Sequence, residues 1–255
     1  MDLTDFQSSE TLYFQNLPDG FPRINDPVQT LLLREYGAVY VARGGAIPPS
    51  VIVFQDEAGV GHFQSTVPKS TATIGGLEIT LQRTAMKALH QAIDDARKSG
   101  WEISPRGPDS GARTYGDTVE LWHSRVEPGL IHWVAKGRIS ELQAERIRSL
   151  SPFQQVSEIL GLEEKGIYFA KDLTKSIIYS VAPPGTSQHL AMLAFDVQEF
   201  NDPNIRRILA SHGWFQTVTS DLPHFTFLGV KEDELFSLGL RSVENEGRKF
   251  WIPDI

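Results

Sequence analysis

The sequence contains no cysteine. A disulfide framework, a thiolate metal site and a cysteine nucleophile are therefore excluded, and any bound metal must take nitrogen and oxygen ligands. The absence fits the cytoplasm and an oxidising compartment equally well and selects neither. No hydrophobic run is long enough to span a bilayer, and no basic-plus-apolar signal segment starts at Met1. An excess of positive charge is also missing: 24 Lys and Arg stand against 32 Asp and Glu, a formal net charge of −8 with a pI of about 5.4. The cations are scattered, and an acidic chain gains nothing from phosphate backbones, so no nucleic-acid partner is expected.

What the chain does have is 255 residues, 40% of them hydrophobic, enough to bury a good-sized core in one or two domains. Three parts are expected. Residues 1–27 are polar and turn-rich; within them Glu10–Gln15 (Glu-Thr-Leu-Tyr-Phe-Gln) is similar to a viral protease recognition site with one substitution. The segment reads as an expression scar, or as a native linker whose Leu12, Tyr13 and Phe14 pack on the domain. Residues 28–76 read as a small β-rich N-terminal subdomain: a short helix over 28–35, then strands at 37–41, 51–54 and 59–63, with His62 at the surface. Residues 77–255 carry the rest. Ile79 to Ser99 is the clearest helical pattern, ended by Lys98-Ser99-Gly100. Strands are expected at 101–104 and 176–181, and a charged helical segment over 139–162, broken near Pro152, would form a wall or lid. A short helix over 204–212 ends at Gly213, and the apolar tail, Phe236 included, packs back on the core.

The chemistry concentrates in two stretches. The first runs from Ala182 to Asp196, through the turn signal Pro183-Pro184-Gly185 to Ser187, His189 and Asp196. His189 and Asp196 are seven positions apart, too far for one helical turn. They should come from a loop and a following strand, in which Leu193, Phe195 and Val197 face inward and Asp196 outward. The second is Asp221-Leu222-Pro223-His224-Phe225, with proline stiffening the backbone before a histidine that begins an apolar strand. Two histidines and two carboxylates are what a catalytic zinc site needs: three protein ligands, water in the fourth position, and one carboxylate outside the metal to handle protons.

These residues resemble the zinc D-Ala-D-Ala metallopeptidases of bacterial cell walls, a group that includes lysostaphin-type peptidases and the hedgehog domain. Ser187, His189, Ala194 and Asp196 match the family's S-x-H-x-x-G-x-A-x-D. Asp221 and His224 match its [E/D]-x-x-H, in the D-x-P-H-F form of the L-alanyl-D-glutamate endopeptidase branch. Ser110-Gly111-Ala112-Arg113-Thr114 is similar to the family's S-G-[YF]-R-[ST], with Ala112 replacing the aromatic residue. The resemblance covers about Leu77 to Val230 and implies an α+β fold with a central antiparallel sheet, helices on one side and zinc in a cleft. It implies Zn2+ bound by His189, Asp196 and His224, with Asp221 as general base. Arg113 would stabilise the oxyanion and contact substrate, and Ser187 would contact it too. The implied activity is hydrolysis of peptidoglycan stem peptides, as a D-Ala-D-Ala carboxypeptidase or an L-Ala-D-Glu endopeptidase.

Two departures shape the alternative. Met192 stands where the family has glycine, and Thr118 where it has glutamine. Both favour a catalytically weak or inactive module that binds peptidoglycan or a protein on the same fold. A cell-wall role implies a periplasmic or secreted protein, whereas a cytoplasmic dipeptidase would need no export signal. Glu120-Leu121-Trp122-His123 also has the acid-x-x-His spacing but precedes the first histidine motif, the reverse of the family order. It is the fallback site.

Overall fold

The structure, a computed structural model, describes residues 11–24 and 26–255. Helices and small antiparallel sheets alternate along the chain. The short α1 (Leu12–Gln15) and α2 (Pro27–Tyr36) lead into a 3₁₀ turn over Gly37–Val41; α3 (Glu57–Thr66) follows, then the hairpin β1 (Lys69–Ile74) and β2 (Leu77–Gln82). Next come α4 (Arg83–Lys98), α5 (Tyr115–Ala135), α6 (Glu141–Ser149) and α7 (Pro152–Glu163). The C-terminal part holds β3 (Ala194–Asp196), α8 (Pro203–Ser211), β4 (Trp214–Phe215), β5 (His224–Phe227) and the hairpin β6 (Leu240–Asn245) and β7 (Arg248–Pro253). Among the described residues the strands form three sheets of two, three and two strands, with β5 between β3 and β4 in the middle one. The α+β class therefore holds, but the strands are distributed rather than gathered into one central sheet.

Burial explains the main elements. Along α4, Ala85, Met86, Leu89, Ala92, Ile93 and Ala96 face one cluster that also holds Phe195, Trp214, Phe225 and Trp251. Trp122, Val126 and Leu130 on α5 form a second cluster with Ile147 of α6 and Ile159 of α7. All three helix starts in this region are capped from the sequence: Thr114 with Asp117 on α5, Ser140 on α6, and Ser151 with Gln154 on α7, the last with Pro152 at the first helical position. The pair α6 and α7 thus backs α5 from the side away from the cleft, so the wall expected from residues 139–162 is supplied instead by α5 and residues 178–182.

Several expected strands take other forms. Gly37–Val41 is a wholly buried apolar run, and such a run does not distinguish a strand from a buried helical turn. Residues 59–63 lie in α3, whose start is fixed by Asp56 accepting a hydrogen bond from Gly59 N. Residues 51–54 and 101–104 form no ladder, although Pro105 bridges Val197. Ile177–Tyr179 is a 3₁₀ turn. Residues 28–76 are therefore not β-rich, and their Leu32, Leu33, Tyr36 and Val41 share the main cluster with the C-terminal strands. The helix expected from Ile79 begins at Arg83, because Ile79 and Leu81 are inward residues of β2, where spacing by two marks a strand. In the N-terminal segment Tyr13 is fully buried and donates from Oη to Gly37 O at 2.9 Å, while Leu12 is exposed and Glu10 lies outside the described residues. Phe236 also stays outside the core, 56% exposed, its ring meeting Trp251 edge-on.

Candidate metal centre

The two acid and histidine stretches meet across a pair of strands. β3 and β5 run antiparallel with Asp196 opposite His224, so the register alone brings these side chains together. Phe195 and Val197 are fully buried in the main cluster, which turns Asp196 to the other face, where it is half-buried in a cleft of about 440 Å³.

His189 arrives from a 3₁₀ turn, Gln188–Ala191, that follows Pro183-Pro184-Gly185. Gly185 has φ +79°, and a Cβ there would stand 1.9 Å from Phe54 O, so glycine is required on conformation and on space. The turn closes at Met192 in the left-handed conformation, φ 55° and ψ 31°. That explains the glycine of the resembled motif. Met192 keeps the turn regular: its N donates to His189 O at 3.0 Å, its carbonyl accepts from Gln82 N at 2.9 Å, and its side chain is fully buried away from the cleft lining. Left-handed backbone in a residue with a Cβ costs about 1–2 kcal/mol, which the buried thioether side chain offsets.

Hydrogen bonds fix both imidazoles. His189 Nδ1 lies 2.7 Å from Gly111 O, an acceptor only, so Nδ1 carries the proton and Nε2 presents a lone pair. Glycine is required here for close packing on β2, because a Cβ at Gly111 would meet Thr80 O at 2.9 Å. On the other side, Gln188 Nε2 donates to Tyr36 O at 2.8 Å, which turns Gln188 Oε1 toward His224. His224 Nε2 donates to that oxygen at 2.9 Å, leaving Nδ1 with the lone pair. Thr226 Oγ1 donates to the same oxygen, and Thr217 Oγ1 lies 2.6 Å from Thr226 Oγ1.

Three acceptors then face one another. His189 Nε2 and His224 Nδ1 are 3.2 Å apart, His189 Nε2 and Asp196 Oδ1 3.3 Å, and His224 Nδ1 and Asp196 Oδ1 3.2 Å. Burial pushes the His189 imidazole down, against the opposing pull of Asp196. Burial pushes the Asp196 carboxyl up, but the two imidazoles beside it hold it well below the usual carboxylate range. A carboxylate oxygen and two imidazole lone pairs on a triangle are a cation site, and among the described residues these three form a group that could hold a metal ion. The edges decide the geometry: for tetrahedral bonds of about 2.0–2.2 Å, ligand atoms should stand about 3.3–3.5 Å apart, close to what is seen.

Arg113 and Asp221 complete the cleft. Arg113 Nη2 donates to Asp196 Oδ2 at 2.8 Å and Nε to Asp109 O at 3.0 Å, with Asp109 Oδ2 at 3.4 Å. It therefore pairs with the oxygen of Asp196 that faces away from the histidines, as well as with a surface carboxylate. Asp221 stands at the cleft mouth, exposed as a residue yet with its carboxyl crowded by protein. Burial raises its pKa, opposed by His224 and reinforced by Asp196. Ser187 precedes the 3₁₀ turn and lines the cleft. The fallback pair does not join them: Glu120 and His123 are both exposed on α5. Gln188 is the residue that motif reading missed; its one signal was a polar side chain beside the apolar run Leu190-Ala191-Met192.

No protein family and no curated protein matches the sequence. Among solved structures, the chain is similar to the vancomycin-resistance D,D-pentapeptidase VanY of the VanB-type cassette, a mutant in complex with Zn(II). That likeness has 16% identity over 65% of this chain and 82% of the other, with a TM-score of 0.34. It is also similar to the LD-carboxypeptidase LdcB, described with its peptidoglycan recognition, at 14% identity over 74% of this chain and 80% of the other, with a TM-score of 0.39. Likenesses this slight carry no argument about the chemistry, which rests on the geometry above. Among the described residues no helix is long and apolar enough to cross a membrane.

Proposed function

We propose that the chain is a zinc-dependent peptidase acting on peptidoglycan stem peptides, as a D-Ala-D-Ala carboxypeptidase or an endopeptidase of the L-Ala-D-Glu type, and that it works outside the cytoplasm. The observation that carries the reading is the triangle of His189 Nε2, His224 Nδ1 and Asp196 Oδ1, with both tautomers set so that lone pairs converge. Zinc held by these three residues would polarise a substrate carbonyl and lower the pKa of a bound water toward neutrality. Gly111 O and Gln188 Oε1 keep the two rings oriented, and Arg113 holds the far oxygen of Asp196. Asp221 takes the water proton and returns it to the leaving amine. Arg113, already fixed in the cleft wall, offers its cation to the developing oxyanion, and Ser187 contacts the substrate.

A second reading, a binding module on the same fold, draws support from Thr118. Its Oγ1 donates to Tyr115 O at 2.7 Å and accepts from Gly185 N at 3.3 Å, so the hydroxyl braces the wall instead of serving substrate. Elemental analysis of protein purified without chelator, together with stem-peptide cleavage assays, separates the two. The peptidase reading expects about one zinc per chain, lost in His189→Ala and kept in Asp221→Ala, with hydrolysis abolished in both. Zinc-loaded protein that binds stem peptides without cutting them would favour the module.

A further inference from the structure

Arg125 is a half-buried cation in the cleft that is held by two serines and by no carboxylate. Its Nε donates to Ser180 Oγ at 2.9 Å and its Nη1 to Ser124 Oγ at 2.8 Å, and no other partner is present among the described residues. Ser180 is itself fixed, because its Oγ also accepts from Lys171 N at 3.4 Å. Arg113, in the same cleft, is charge-paired with Asp196 and Asp109, whereas Arg125 has no carboxylate partner and its Nη2 makes no bond among the described residues. A guanidinium taken partly out of water and pre-oriented without an anion retains unmet capacity for a carboxylate, which it binds best through its planar fork.

Its position follows from the helix. Thr118, Leu121 and Arg125 of α5 line the cleft together, facing Ser180 and its neighbours. The guanidinium of Arg113, just before the helix, marks the metal end. Arg125 lies eleven residues beyond the cap Thr114, about 16 Å along the axis, and a helical side chain leans back toward the N-terminus. With that lean, the rise implies a gap on the order of 10 Å, which an extended peptide covers in about three residues.

We propose that Arg125 is a specificity-determining residue at the far end of the cleft, binding a carboxylate that the substrate carries about three residues from the bond that is cut. This rests on the D-Ala-D-Ala carboxypeptidase form of the peptidase reading for the bond, since in L-Ala-D-Glu cleavage the D-glutamyl carboxylate adjoins the cut bond, while the carboxylate site rests on Arg125 and its serines. The chemical class is a peptide with a free carboxylate inside its chain, not only at its terminus. The γ-linked D-glutamyl residue of a stem peptide carries such a group, and amidation removes it.

The test pairs two probes, L-Ala-γ-D-Glu-L-Lys-D-Ala-D-Ala and the same peptide with the D-glutamyl α-carboxyl amidated. They are assayed for cleavage and, by calorimetry, for binding to zinc-loaded wild type, Arg125→Gln and Arg125→Lys. We expect wild type to prefer the acid about tenfold in KM or Kd. Arg125→Gln should erase that preference by weakening the acid alone, with kcat within about twofold, and Arg125→Lys should restore part of it. Equal KM for both peptides in wild type, or equal weakening of both in Arg125→Gln, would overturn the inference and leave the peptidase reading intact. Acid-selective binding that depends on Arg125, without cleavage, would support the inference and overturn the peptidase reading. The wild-type comparison needs no variant to fold.

Discussion

Two stretches of this chain have an acid, two intervening residues and a histidine, and they have opposite fates. Glu120 and His123 sit one turn apart on α5, both exposed. Asp221 and His224 close a turn into β5, where His224 is buried, stands opposite Asp196 across the ladder and has both ring nitrogens engaged. The spacing is identical, so spacing does not make the site. What differs is a fixed partner for the second ring nitrogen and a neighbouring strand that delivers the carboxylate.

That contrast can be broken most sharply by removing the histidines. His224→Ala should reduce bound zinc from about one per chain to near zero and abolish hydrolysis, while His123→Ala should change neither, by elemental analysis and peptide assay. Next in size is the acid: Asp221→Asn should lower kcat by about 10²–10⁴ with metal retained, and Glu120→Gln should leave kcat unchanged. An unaltered kcat in Asp221→Asn would remove it as the base. The orienting residue comes third. Gln188→Ala should weaken zinc affinity about 10–100-fold in competition with a chelating indicator, a range typical of groups that hold a ligand imidazole.

Met192→Gly sets two effects against each other. It relieves about 1–2 kcal/mol of left-handed strain but empties a fully buried site, where loss of a methionine side chain costs about 2–5 kcal/mol. Denaturant unfolding should therefore show a net loss of about 2 kcal/mol, within a range of about 0–4; a gain would mean that strain dominates. The smallest effect concerns a buried carboxylate that is not part of the cleft lining. Glu163 accepts hydrogen bonds from Phe169 N and Ile177 N, at 3.0 and 2.8 Å, and from Ser176 Oγ, and burial still raises its pKa. An acid raised on folding destabilises fully above its folded pKa and not at all below its unfolded one. The wild type should therefore gain stability as pH falls through that window. Glu163→Gln should flatten this dependence and differ by less than about 1 kcal/mol at neutral pH, since both backbone donors keep an acceptor.

The site was more legible than the scaffold around it. His189, Asp196 and His224 could be picked out because the stretches that carry them resemble two motifs of a known family, and the structure brings all three together. Asp221, Arg113 and Ser187 also line the cleft. Gln188 was illegible because its role depends on Tyr36 O, 152 positions away in sequence. The N-terminal strands failed for a different reason. Runs such as Gly37–Val41 are apolar at every position, so they have no period to read, and only the packing against α2 and β7 decides their form. In β2, the inward pair Ile79 and Leu81 was absorbed into the stronger period of the helix after it.

Ser104 O and Ser110 O accept from Gln198 N and Asp196 N, and Arg106 N donates to Asp196 O, so residues 104–110 lie along the outer side of β3. This segment acts as a border that occupies backbone groups a foreign strand could otherwise pair with. It also carries the chain directly into Arg113. Cover of this strand edge and placement of the cleft arginine therefore depend on the same few hydrogen bonds, and a change that peels this border away should displace Arg113 and provoke self-association together.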